Sequence, residues 1–104
     1  MSFFVYRLLP PRPSFAFDMS EAERGVMSRH GEYWRGHAAS GTALIFGPVG
    51  DPAGPWGLGI IEVDDAAQAQ KLADADPAVS TRTCDVEILP MLEAFLRADI
   101  AVAE

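Results

Sequence analysis

His30 is the side chain in this sequence best suited to move a proton, because an imidazole titrates near neutral pH. It stands within Glu21–Ser40, a stretch with apolar or aromatic residues at Val26, Met27, Tyr33, Trp34 and Ala38. At helical spacing His30 faces the way these residues face, so it lies on the stripe that the fold would bury. A buried imidazole needs a partner, since an unpaired buried polar group costs on the order of 1–3 kcal/mol. Asp76 is the best candidate. It falls one turn beyond Leu72 at the end of a second helical segment, on the side carrying Ala69 and Ala73. A carboxylate against an imidazole fixes the tautomer and raises its basicity, which is how a general base is commonly built. A plainer reading takes His30 as a satisfied core histidine and Asp76 as a residue that ends a helix before proline.

Other side chains offer less. His37 lies two turns from His30, and imidazoles about 10 Å apart along a helix do not share one metal ion. Arg12, set between prolines, is positioned either to hold a carboxylate over a pocket or to stand as a solvated loop charge. Tyr33 and Trp34 offer aromatic faces to a ligand or to the core. Trp56 opens a strand at a pocket rim or an intersubunit seam. Cys84 alternates with Val86 and Ile88 and reads as apolar filler rather than a nucleophile. Gly47, Gly50 and Gly54 are separated by prolines and open no helix, so they make no phosphate cradle.

The elements that must position His30 and Asp76 follow from pattern. Residues 2–9 alternate as a strand, with Phe3, Val5, Arg7 and Leu9 on one face and Phe4, Tyr6 and Leu8 on the other. Pro10, Pro11 and Pro13 end it, and residues 10–19 read as an extended loop anchored by Phe15 and Phe17. Ser20 and Glu23 form a capping box that opens the helix 21–40, and Gly41 stops it. Gly25 and Gly31 weaken that helix by about 1 kcal/mol each, so packing must hold it. A strand over 42–46 ends at Gly47-Pro48, and residues 49–55 form a loop. In the strand 56–63, Trp56, Leu58 and Ile60 oppose Gly57, Gly59, Ile61 and Val63; the glycines predict a close neighbour or a bulge. Asp64 or Asp65 caps a helix over 66–75, which Pro77 terminates. A final strand covers 83–89, and a tail follows with a short helix expected around 91–97.

Strand, helix, strand, strand, helix, strand is the ferredoxin-like βαββαβ order: α+β, an antiparallel sheet with both helices on one face. The first and third strands are apolar on both sides, which predicts a homodimer joined through the open sheet face. The 104 residues make one domain, with 49% hydrophobic and 22% charged residues. The net charge of −7 is uneven, +1 over residues 1–50 and −8 over 51–104, and no basic stripe is present. Nucleic acid and anionic membranes are therefore not expected partners. A single cysteine excludes an intrachain disulfide and a thiolate metal cluster, and neither metal nor cofactor is expected. The run Phe3–Tyr6 is too short for a signal segment and no stretch has the length of a membrane span, so a cytoplasmic location is expected.

The sequence resembles the YciI-like, or YCII-related, family. The resemblance rests on a helix carrying His30, Gly47-Pro48 seventeen residues on, a strand rich in Gly and Ile, and the ending Ala73-Asp74-Ala75-Asp76-Pro77-Ala78-Val79. It spans roughly residues 3–90. Residues 12–19 and 46–55 look like those of a longer-loop subgroup. The resemblance implies a dimeric ferredoxin-like α+β barrel and an active site whose His and Asp map onto His30 and Asp76. Arg12, Trp34, Gly47 and Pro48 are then the candidate substrate contacts, and the segment 10–19 is a candidate roof for the pocket. Activity known in the family includes a dehydrochlorinase acting on a chlorinated aromatic. The expected function is a lyase or isomerase that moves a proton on a small organic substrate without a cofactor. The alternative is a non-catalytic ligand-binding or dimeric assembly module.

Overall fold

The alternation along residues 2–9 forms β1 (Ser2–Leu9) in a computed structural model that describes residues 2–100. Phe4, Tyr6 and Leu8 are buried, whereas Phe3, Val5, Arg7 and Leu9 are only partly covered. The segment after Pro13 is not fully extended. It contains one helical turn, α1 (Phe15–Asp18), that buries Phe15. Phe17, expected as a second anchor, is instead 82% exposed. The turn explains the difference, because side chains two apart on a helix diverge where those on an extended chain would agree.

The capping box opens α2 (Glu21–Ser40) as expected: the Ser20 hydroxyl accepts from the Glu23 amide, and the Glu23 carboxylate accepts from the Ser20 amide. Gly41 ends the helix at φ 90°, in the left-handed region that favours glycine. Strand β2 (Ala43–Val49) continues through Gly47-Pro48 rather than ending there. It lies at the sheet edge, where a proline lacking an N–H leaves no ladder bond unmade. A loop leads to β3 (Trp56–Val63), and Asp65 caps α3 (Ala66–Ala75) through the Gln68 amide. Asp76 then ends α3 and caps a further helical turn, α4 (Pro77–Ser80), with Pro77 at its first position. Strand β4 is Asp85–Pro90.

The strands form one antiparallel sheet in the order β2-β3-β1-β4, the ferredoxin-like arrangement. One face carries the core: Phe4, Tyr6, Leu8, Ile61 and Val63 meet Trp34 of α2 and Ala69 and Ala73 of α3. The close neighbour anticipated by the glycines of β3 is Phe46. A Cβ on Gly59 would stand 2.5 Å from the Phe46 ring, so only glycine lets that ring lie against the sheet. Ile45 and Leu89, on the opposite face, are exposed. Beyond Pro90 the described tail runs to Ile100 without a helix, contrary to the one expected around 91–97. Leu92 and Phe95 are almost fully exposed, and a short helix with no surface to pack on is marginal in water. Residues 101–104 of the tail lie outside the described residues.

Candidate functional site

Asp76 sits where β1, α2 and the α3–α4 junction converge, and its side chain is fully buried. Burying a carboxylate without partners would be prohibitive. Four donors answer it. His30 Nδ1 and the Ala78 amide approach Oδ1 at 2.8 and 2.9 Å; the Tyr6 hydroxyl and Trp34 Nε1 approach Oδ2 at 2.8 and 2.9 Å. Burial alone would push the Asp76 carboxyl up. The hydrogen bonds from His30 and Trp34, the charge interaction with His30 and the Ala78 amide outweigh it, and the net direction is downward. Asp76 is therefore ionised at neutral pH and accepts only. Tyr6, buried beside that charge, is pushed well above the usual phenol range by desolvation first and by Asp76 second.

An acceptor-only carboxylate settles which nitrogen of His30 carries the proton. Nδ1–H donates to Asp76, so in the neutral ring Nε2 holds the lone pair. Nε2 makes no hydrogen bond to a described residue, and His30 lines a cavity of about 420 Å³. The cavity lies between α2, the end of β2 and the start of β3. Its floor is aromatic: Trp34 and Phe46 stack at 4.5 Å with their planes 9° apart, and the His30 ring meets Phe46 edge-on at 5.3 Å. Phe15, Ala16 and Met19 from the segment 10–19 line it as well. The site thus joins an oriented imidazole, a buried anion behind it and an apolar chamber in front. That is the equipment for taking a proton from, or giving one to, a small molecule.

Among the sequence candidates, His30 and Asp76 are in contact, and Trp34, Gly47 and Pro48 line the cavity with His30. Arg12 does not. Its guanidinium is held by Asp18 and by both carboxylate oxygens of Glu23, and packs over Phe15 outside the chamber. A loop arginine with two carboxylates in reach ties the loop to the helix start, and four of its five N–H donors are engaged there. Trp56 lines the cavity edge, where its indole donates to Asp51 and Arg7 stacks over the ring. His37 packs edge-on against Tyr33 at 4.6 Å, and no group of three metal-ligating side chains occurs among the described residues. Cys84 is buried, which pushes its thiol up to about 11 and leaves it a poor nucleophile.

Sequence reasoning missed Tyr6 as a partner of Asp76 and Arg35 as a cavity residue. The first had a signal: a tyrosine on the buried face of a strand otherwise lined by Phe and Leu needs a partner for its hydroxyl. The second had none, because Arg35 falls outside the apolar stripe of α2.

An open-faced ferredoxin-like α+β domain with a histidine–aspartate pair behind an apolar chamber defines the class of this protein. The family model for the YCII-related domain matches residues 3–92, and the chain belongs to that family. No curated protein matches it.

Proposed function

We propose that this protein is a cofactor-independent proton-transfer enzyme, a lyase or isomerase for a small organic molecule. His30 is its general base and Asp76 the residue that positions it. One observation carries the reading: Nδ1 is committed to a buried carboxylate while the ring borders the chamber. In the proposed cycle, Nε2 takes a proton from carbon beside an electron-withdrawing group. The electron pair left on carbon forms a double bond. The proton then returns at another position, which is isomerisation, or a leaving group departs from the adjacent carbon, which is elimination. Asp76 stabilises the imidazolium formed in between, as a buried carboxylate does in other histidine bases.

Phenylpyruvate tests this, since its keto–enol interconversion is a proton transfer at carbon that ultraviolet absorbance follows directly. Solvent deuterium exchange into a chlorinated aromatic, followed together with chloride release, extends the test to the elimination class. The protein should accelerate exchange in at least one of these probes, and His30→Gln should lower that rate about a hundredfold or more. A His30→Gln protein exchanging at the parent rate would remove the base from the scheme. The binding-module reading draws support from the structural work Asp76 also does, since it caps α4 and gathers Tyr6 and Trp34. Saturable ligand binding with no exchange in any probe would favour it.

The active form in this proposal is a cytoplasmic homodimer. Ile45 and Leu89 are exposed on the sheet face opposite the helices, beside the partly covered Phe3, Val5, Leu58 and Ile60. A second copy laid against that face would cover them. The single cysteine, a free buried thiol, suits a reducing compartment.

A further inference from the structure

The chamber has a second polar feature besides His30. Its lining is dominated by apolar and aromatic groups, and Arg35 is the cationic side chain that borders it. Arg7 and Arg12 are held in ion pairs with Glu87 and with Asp18 and Glu23. Arg35 is in no ion pair and no hydrogen bond among the described residues.

The sequence of α2 places the guanidinium. Gly31 lies one turn before Arg35 and directly after His30. A Cβ on Gly31 would stand 3.6 and 3.8 Å from the two terminal nitrogens of Arg35. A methyl there would make only ordinary van der Waals contact, so the exposed Arg35 side chain lies along the helix surface over Gly31, at the chamber wall and next to the residue proposed as base.

We propose that Arg35 is the anion anchor of this cavity and that its ligands are small, largely apolar or aromatic molecules bearing a carboxylate. The planar fork of an arginine matches a carboxylate with two parallel hydrogen bonds. The protein carries a net charge of −7, so an anionic ligand gains little from the overall field and depends on a local cation. The aromatic floor of Trp34 and Phe46 takes the body of the ligand, and the carboxylate on Arg35 would present a nearby C–H to His30. The proposal rests on the reading of this cavity as the substrate site and gives that site a substrate class.

The test compares benzoate and cinnamate with their neutral counterparts benzamide and cinnamamide, titrated into the full-length protein and read by tryptophan fluorescence and amide NMR shifts. At least one acid should bind saturably, shift the Gly31 amide and the Trp34 indole resonance, and bind about tenfold or more tightly than its amide. Arg35→Gln should bring the acid down to the affinity of the amide and leave amide binding unchanged; Arg35→Lys should keep part of the preference. Equal binding of acid and amide, an unchanged ratio in Arg35→Gln, or no saturable binding of any of the probes would overturn the proposal. The base is tested separately by proton exchange. A parent-like exchange rate in His30→Gln together with an intact acid preference refutes the base alone, whereas exchange that depends on His30 with no acid preference refutes the anchor alone.

Discussion

Replacing Asp76 by Asn should destabilise this protein for a reason that can be worked out donor by donor. The carboxylate accepts at both oxygens, from His30 and Ala78 on one and from Tyr6 and Trp34 on the other. Asn offers one acceptor oxygen and one NH₂. If the NH₂ faces Tyr6 and Trp34, the Tyr6 hydroxyl can turn to accept, but the indole N–H cannot. If it faces His30 and Ala78, the imidazole can switch tautomer and accept, but the Ala78 amide cannot. Either orientation strands one buried N–H, at about 1–3 kcal/mol. Charge-assisted bonds also become neutral ones, partly offset because no charge is buried any longer. The sum is about 2–4 kcal/mol, enough to lower the melting temperature of a domain this size by roughly 10–20 °C.

The same accounting predicts a rescue. Trp34→Phe removes the donor that conflicts with an NH₂ at the Oδ2 position. In the Trp34→Phe/Asp76→Asn double variant the amide oxygen can serve His30 and Ala78, and its NH₂ can donate to Tyr6. The double variant should therefore be more stable than the sum of the single effects by about 1–2 kcal/mol. Urea unfolding of the four proteins at one protomer concentration measures the cycle, and the nitrogen shifts of His30 report whether Nδ1–H persists in the double variant. A single-variant cost below about 0.5 kcal/mol, or strict additivity, would refute the reasoning.

Acid should unfold the protein through carboxylates held low in the native state. Hydrogen bonds from Arg12 and the Ser20 amide lower Glu23 from 4.5 to about 2, so its contribution is complete above 4.5 and lost as the pH falls towards 2; Asp76 adds to the loss below 3.8. Urea midpoints measured across that range should fall with pH, and Glu23→Gln should flatten the upper part of the curve. Gly59→Ala sets a methyl 2.5 Å from the Phe46 ring and should cost about 1–3 kcal/mol, with loss of benzoate binding as the Trp34–Phe46 floor is displaced; parent stability would show that the ring moves freely. The proposed homodimer predicts that the parent sediments as a dimer and that Leu58→Asp, placed on the open sheet face, sediments as a monomer with the fold undisturbed. A monomeric parent would refute the dimer, and a dimeric Leu58→Asp would move the interface elsewhere.

The fold was legible because its signals were periodic and local: alternation in β1 and β3, the Ser20–Glu23 box, Gly41, and Pro77 after the second long helix. His30 was legible for the same reason, as a polar residue out of character on an apolar stripe. Its partner required a further step, since residues 46 apart meet only if both helices cover one sheet face. What was illegible depended on side-chain reach. Nothing in the spacing says that Arg12 turns back to Glu23, that Tyr6 reaches across to Asp76, or that Arg35 lies over Gly31. The extension of β2 through Pro48 depends on its being an edge strand, a property of the completed sheet.

The placement of Asp76 has a consequence for how the site and the fold depend on each other. The same carboxylate that orients the imidazole also ends α3, caps α4 and receives a donor from the central strand β1. Displacing it would perturb helix junction, strand and imidazole together, so loss of the proposed activity in an Asp76 variant says little about chemistry unless the fold is measured alongside. His30 is different. It contributes one donor to the cluster, and Ala78, Tyr6 and Trp34 remain on the carboxylate if it is removed. A His30→Gln variant that loses exchange but keeps most of its unfolding free energy would therefore separate catalysis from architecture, which no substitution at Asp76 can do.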